Sequence, residues 1–247
     1  VEENRLSVPD DDNALAYYRQ LLELDPDNPE ARKGIETIAG RFENQARSAY
    51  QNKDYDRALD NIAKYREIRP ADEDAELMEW MIRGSRQYAA GRYLSPEGDS
   101  AAYYFRKVLN KAPQKEEIAR RLARARVLGP LSEIDPGTSI QEQLPRFQKV
   151  FKALQAGIEE HGTEAMEDVR QSLAARLKAV VDAGIERAGA IPDAFIALVT
   201  EHLPEFSDIF KGRYKELVAG GDDARGLENQ ADFYLKALRL DPSRDPA

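Results

Sequence analysis

Few residues of this 247-residue chain have a type and a spacing that could support catalysis or metal binding. The chain has no cysteine, which excludes disulfide scaffolds, thiol nucleophiles and metal sites with cysteine ligands. Its two histidines, His161 and His202, lie outside any HExxH or HxH pattern, and each stands near an expected helix end. We therefore expect structural roles for both, with no metal and no cofactor.

Carboxylates are the remaining candidates for chemistry. An enzyme housed in residues 139–220 would depend on acidic side chains there, but their spacing does not pair a general acid with a base. The side chains in question are Glu159, Glu160, Glu164, Glu201 and Glu205. No GxSxG, SxxK, GxxxxGK[ST] or GxGxxG motif occurs. We expect no enzyme, and a deep, enclosed pocket in this segment would argue otherwise.

The charge balance disfavours nucleic acid as a partner. Lys and Arg number 36 against 45 Asp and Glu, a net charge of -9, whereas phosphate binding needs clustered cations. One basic cluster, Arg120 to Arg126, follows Glu116 and Glu117, so i,i+4 pairing explains most of it; a local site for an acidic partner is the alternative. No apolar run approaches the roughly 18–20 residues that span a bilayer, so we expect no membrane insertion within this segment.

The elements that must position any site are helices. Gly and Pro cluster between long stretches rich in Ala, Leu, Glu, Arg and Lys, which are strong helix formers. No alternating stretch rich in Val, Ile and Thr indicates a strand. We expect an all-α fold.

A pattern of a small residue, two large apolar or aromatic residues and a proline recurs along the first half of the chain. The first three positions are spaced i, i+4 and i+7, so they share one helix face, and the proline ends the helix. The copies are Ala14, Tyr18, Leu21, Pro26; Ala58, Ile62, Tyr65, Pro70; and Ala101, Phe105, Val108, Pro113.

These copies resemble the tetratricopeptide repeat family. In the clearest copy, Trp80 and Gly84 match the family's first helix, Gly91 and Tyr93 match the turn, and the set beginning at Ala101 matches the second helix. Residues 94–100 insert five residues before that helix. The middle copy has Phe42, Ala46, Ala49 and Tyr55 at the equivalent places, with Lys53 where the family prefers glycine. The resemblance implies an α-solenoid of helical hairpins.

The repeat is longer than the family's unit of about 34 residues. Pro26 to Pro70 spans 44 residues and Pro70 to Pro113 spans 43. The surplus in the middle copy precedes the usual first helix, so we expect one long helix from about 29 to 52. It would extend beyond its partner by roughly two turns. Residues 72–92 are its counterpart in the next copy.

The second half departs from the repeat. A cluster of helix breakers at 128–138 sets a boundary, which gives repeats in residues 1–128. Four amphipathic helices follow in residues 139–220, read as a bundle-like insert or as diverged repeats. Residues 224–247 resemble the first copy again and predict a terminal repeat helix. Because both ends look cut, Tyr17, Tyr18, Phe233 and Tyr234 are candidates for self-association.

The resemblance also implies a concave groove, lined by the first helices of successive repeats, that receives an extended peptide or a partner helix. The matching positions are Glu43, Arg47, Tyr50, Gln51, Met81, Ser85 and Tyr88. Family members that bind a chaperone tail clamp its terminal carboxylate with Lys and Asn, and Glu43 in place of that lysine disfavours such a ligand. We expect a non-enzymatic scaffold that binds a protein or peptide partner or itself. The alternative is a positioning region of a larger envelope or signalling protein.

Overall fold

The computed structural model describes residues 14–186, 191–202, 207–223, 230 and 235–237. Within them the chain is helical, with turns and no strand, which confirms the all-α prediction. The described residues form two compact units that divide at Ile118, with Tyr93–Ser95 grouped with the second. The α-helices are α1 Ala14–Leu24, α2 Pro29–Gln51, α3 Tyr55–Ile68, α4 Glu73–Ala89, α5 Ala101–Lys111, α6 Glu116–Ser132, α7 Ile140–His161, α8 Glu167–Glu186, α9 Asp193–His202 and α10 Ser207–Asp223, with a 3₁₀ turn at Glu164–Met166.

The helices of the first unit begin where a short polar side chain caps them. Asn28, Asp54 and Asp72 each accept a hydrogen bond from the backbone amide three residues later, at 3.0 to 3.2 Å. Ser100 caps α5 in the same way. Each cap satisfies an amide that the helix itself leaves unpaired, so the starting points of four helices are set by local chemistry.

The first unit is a solenoid-like stack in which each helix packs on the next, from α1 through α5. The repeated positions form its core. Ala58, Ile62, Ala101, Phe105 and Val108 are at most 1% exposed. The small residue lets the neighbouring helix approach, and the large residue one turn later fills the gap beside it. The predicted helical-repeat fold is therefore confirmed.

The long helix expected at about 29–52 is present as α2, with 23 residues against 14 in α3. Its additional length does not project into solvent. Ile38 and Phe42, in the middle of α2, form a core cluster with Leu15 of α1. The surplus of the middle repeat therefore provides the surface on which the preceding helix packs.

The turns after α2 and α4 have the same backbone. Lys53 and Gly91 occupy equivalent repeat positions, and both have a positive φ, 60° and 72°. The amide of each donates to the carbonyl three residues before it, and the next amide donates to the carbonyl five residues before itself. This is the Schellman ending of a helix, in which glycine is favoured. Lys53 thus carries a side chain at a position whose backbone conformation favours glycine.

Replacing Lys53 by glycine should stabilise the first unit. A left-handed conformation costs a residue with a Cβ about 1–2 kcal/mol, which outweighs the added backbone entropy of glycine in the unfolded chain. We expect a gain of about 0.5–1 kcal/mol in the free energy of unfolding, measured by urea denaturation. Lys53→Ala keeps the Cβ and is the matched control. If the glycine and alanine variants are equally stable, the left-handed backbone conformation at position 53 is not strained by a Cβ, which would contradict this prediction.

The second unit packs α6 through α10 around one apolar core. Phe147 of α7 is fully buried and meets Phe195 of α9 edge to face, with ring centroids 4.8 Å apart. The helices expected in residues 139–220 are confirmed. The cluster of helix breakers at 128–138 contains the end of α6, which continues through Pro130 to Ser132 before it stops. Val127 and Leu131 are buried in the core and hold this last part of the helix in place.

The terminal predictions have mixed outcomes. Tyr17 is 63% exposed, so it is available for an intermolecular contact, whereas Tyr18 is partly covered and lies against Gly34. Phe233 and Tyr234, and most of the predicted helix at 224–247, lie outside the described residues. Self-association stays a prediction. Among the residues that the structure covers, no helix has the length and apolarity needed to cross a membrane.

Candidate functional site

A groove of about 380 Å³ runs between α2 and α4 in the first unit. We call it the α2–α4 groove. Its wall on α2 is made by Arg47, Tyr50 and Gln51, near the end of that helix. Its remaining lining residues are Asp74, Leu77, Met78 and Met81 of α4, with Lys115 just before α6.

The floor of the groove is a single stripe of α4. Asp74, Leu77, Met78 and Met81 are spaced i, i+3, i+4 and i+7, so they fall on one helix face. Met78 is 9% exposed and belongs to the core beneath, while Leu77 and Met81 are partly exposed. Apart from Asp74 at its end, the floor is therefore apolar, and it is open to solvent at Leu77 and Met81. Methionine is flexible and polarisable, and it adapts to the shape of an apolar ligand.

Tyr50 is held in place by a hydrogen bond across the groove base. Its hydroxyl lies 3.0 Å from the hydroxyl of Ser85, which is 2% exposed. Tyr50 also packs at a tilt on Tyr55, with ring centroids 6.2 Å apart. Ser85 thus acts as the buried partner that fixes the tyrosine, and the ring of Tyr50 forms a rigid side of the groove.

Both signs of charge lie at the rim. Arg47 donates to Glu43 through Nε at 3.0 Å and Nη2 at 2.6 Å, so its charge is locally balanced. Asp74, at one end of the α4 stripe, and Lys115 also line the groove. The rim accordingly has no strong net charge, and its attraction for a ligand rests on the apolar floor with local polar contacts.

The face of α4 turned away from the groove is bound to α3 by a charged cluster. Glu79 accepts from Arg66 of α3 and from Arg83 one turn along α4. Burial opposes ionisation of Glu79, but hydrogen bonds from Arg83 and Arg66 outweigh it and hold the pKa of Glu79 below its ordinary value. The cluster therefore fixes how α4 is rotated about its own axis, which determines the side chains that line the groove.

A second contact fixes the start of α4. The Tyr65 hydroxyl donates to the Asp72 carboxylate at 2.5 Å, and Asp72 also caps α4. The hydrogen bond to Asp72 raises the pKa of Tyr65 to about 12, and the same bond lowers the pKa of Asp72. Tyr65 is a repeat anchor near the end of α3, so this anchor also aligns α4.

The residues expected at the groove are only partly brought together. Arg47, Tyr50, Gln51 and Met81 line it, Glu43 pairs with Arg47, and Ser85 supports Tyr50 from beneath. Tyr88 does not line it and instead packs on Phe105, with ring centroids 6.3 Å apart.

Four lining residues were missed: Asp74, Leu77, Met78 and Lys115. The i, i+3, i+4, i+7 spacing that leads back from Met81 was the available signal for the first three.

Two other residues that the sequence singled out, Arg124 and His202, make contacts within the fold. Arg124 of the basic cluster donates to the carbonyl of Ala165 at 2.9 Å and lies 3.3 Å from Asp168. The His202 ring stacks on Phe151, with centroids 5.6 Å apart. Within the described part of the chain, no group of three or more His, Asp or Glu residues is arranged to hold a metal.

Comparison with known proteins adds no relative: no protein-family model matches the chain, and no curated protein matches its sequence.

Proposed function

We propose that the first unit is a tetratricopeptide-like binding module without catalytic activity, and that its α2–α4 groove receives a segment of a partner protein. The observation that supports this most is the position of the floor stripe. It lies on α4 next to the end of α2, and these are the first helices of two successive repeats. In the tetratricopeptide repeat family, which the repeats resemble, the inner faces of the first helices form the binding surface.

The composition of the groove suits a peptide with an apolar anchor. Leu77 and Met81 expose apolar surface to water in the groove. Burying one large apolar side chain of a partner against this surface contributes about 1.5–3 kcal/mol to binding. Tyr50 offers a rigid ring, a type of residue that is enriched at interface hot spots. A leucine, phenylalanine or methionine of the partner would occupy this floor.

The rim determines what surrounds the anchor. Asp74 suits a cationic residue of the partner and Lys115 suits an anionic one, and both line the groove. Arg47 is already balanced by Glu43, so the groove has no pair of cations that would clamp a terminal carboxylate. We infer that the bound segment is internal to its protein, with mixed charges around an apolar side chain.

A peptide selection tests this function. The 247-residue chain is used to select binders from a random displayed peptide library, and the enriched peptides are synthesised. We expect them to share one large apolar residue and to compete with one another for a single site. Peptides without a common apolar residue, or peptides that bind additively, would contradict a single groove that recognises an anchor.

A further inference from the structure

Two of the chain's three methionines lie on the floor of the α2–α4 groove. Met78 is 9% exposed and belongs to the core beneath, whereas Met81 is partly exposed and is not among the buried residues of that core. The third, Met166, is fully buried in the second unit, with its methyl end against Gly157. Because the chain has no cysteine, Met81 carries the sulfur atom that solvent reaches most readily.

We propose that Met81 is a site of reversible oxidation by hydroperoxides, and that its oxidation weakens binding in the groove. The sulfur lone pair attacks one oxygen of the peroxide, so that a sulfur–oxygen bond forms and the O–O bond breaks. With hydrogen peroxide, the departing hydroxide takes the proton from the transferred oxygen and leaves as water. The thioether is thereby oxidised by two electrons to a sulfoxide, and the peroxide is reduced by the same two electrons.

The position of Met81 makes this reaction selective. A peroxide must reach the sulfur atom itself, and the groove, with a volume of about 380 Å³, admits it to Met81 from solvent. The packed helices cover Met78 and Met166, so oxidation of these two residues requires the surrounding structure to open. We therefore infer that Met81 is modified while the chain stays folded.

The sulfoxide changes what the floor can bind. Oxidation converts a flexible apolar side chain into a polar one. An apolar anchor on the oxidised floor would remove water from the sulfoxide oxygen, and the side chains of Leu77 and Met78 on the same stripe have no hydrogen-bond donor to replace it. Burying a polar group without a partner is unfavourable, so binding weakens. This effect rests on the function proposed above, whereas the selectivity of oxidation does not.

Peptide mapping by mass spectrometry tests the modification site by itself. The 247-residue chain is treated briefly with hydrogen peroxide, the reaction is stopped with catalase, and the oxidised fraction of each methionine is followed over time. We expect Met81 to be oxidised at least about tenfold faster than Met166, with Met78 between them. Equal rates at all three methionines, or fastest oxidation at Met166, would overturn the proposal.

The effect on binding is measured with a selected peptide that contains no sulfur. We expect its dissociation constant to rise about tenfold after oxidation of the chain. Treatment with methionine sulfoxide reductases of both stereospecificities should restore it. Met81→Leu, which keeps the volume but removes the sulfur, should abolish the rise, and Met78→Leu should retain it. Each variant is compared with itself before and after peroxide, so any effect of leucine on the affinity cancels. A rise that persists in Met81→Leu would overturn the proposal.

Two outcomes separate this inference from the proposed function. A selected peptide whose affinity does not respond to Met81→Asp binds outside the groove, which contradicts the proposed function. A peptide that does respond to Met81→Asp, and yet binds equally well before and after oxidation, overturns this inference alone. We expect the oxidised chain to keep its helical circular dichroism, because Met81 is not part of the buried core. Loss of that signal would mean that affinity falls through unfolding, and would also overturn the inference.

Discussion

Replacing Phe105 by alanine should lower the free energy of unfolding of the first unit by about 3–5 kcal/mol, the usual cost of emptying a core site of this size. Phe105 is fully buried and packs against Tyr88. Its ring also lies directly over Gly84, where a Cβ would come within 2.6 Å of it. The measurement is guanidinium denaturation followed by the fluorescence of Trp80, the single tryptophan, which lies on α4 in the same unit.

Two further variants show whether this loss comes from the packing of the repeat. Asn110→Ala changes an exposed residue of the same helix and should cost less than about 0.5 kcal/mol. Gly84→Ala should destabilise the original chain by about 1–3 kcal/mol through overpacking, yet should cost far less once Phe105 is alanine. A loss below about 1 kcal/mol for Phe105→Ala, or additive effects of the pair, would contradict the repeat core.

Replacing Met81 by aspartate should weaken a groove-binding peptide about thirtyfold or more. A charge on the floor faces the apolar anchor, and the loss of a central anchor contact typically amounts to 2 kcal/mol or more. Met81 is partly exposed and lies outside the buried core clusters, so the unit should remain folded. Titration of a selected peptide, labelled with a fluorophore, gives the dissociation constants.

The control for this variant is Leu24→Asp. Leu24 is 86% exposed on α1 and is not part of the groove. Its replacement therefore introduces the same charge at an apolar surface position elsewhere in the unit. We expect its affinity for the peptide to stay within twofold of the original chain. Similar losses in both variants would mean that binding responds to overall charge, and an unchanged affinity in Met81→Asp would place the peptide elsewhere.

The parts of the fold that repeat could be predicted from sequence. Anchors such as Ala101 and Phe105 recur at fixed spacing because every copy must solve the same packing problem, so comparison of copies separates them from the surface. The length of α2 followed from the absence of a break between Pro29 and Asn52. The left-handed turn at Lys53 is foreseen only by aligning it with Gly91.

The parts that depend on one particular arrangement could not be predicted. The groove was expected to continue toward Tyr88, but the floor continues in the other direction, toward Asp74, because the Arg66–Glu79–Arg83 cluster sets the rotation of α4. Ionic contacts between helices leave no periodic trace in the sequence. Pro130 likewise indicates a break, whereas burial of Leu131 outweighs that local preference.

The recess between α7 and α9, which both Glu159 and Glu201 line, is the same kind of case. They are separated by α8 along the chain, and both line the recess because α7 packs against α9. Neither residue stands in a motif, so only the tertiary structure shows that two carboxylates share a recess.

The most direct test of the groove's function is a position-specific crosslink. Because the chain has no cysteine, a photo-crosslinker can be attached at a single introduced cysteine. Gln51→Cys places it at the groove, and Ala63→Cys places it on an exposed position of α3 outside the groove. With a selected peptide present, we expect efficient crosslinking from position 51 that excess unlabelled peptide suppresses, and background levels from position 63. Equal yields from the two positions, or crosslinking from position 63 alone, would contradict binding in the α2–α4 groove.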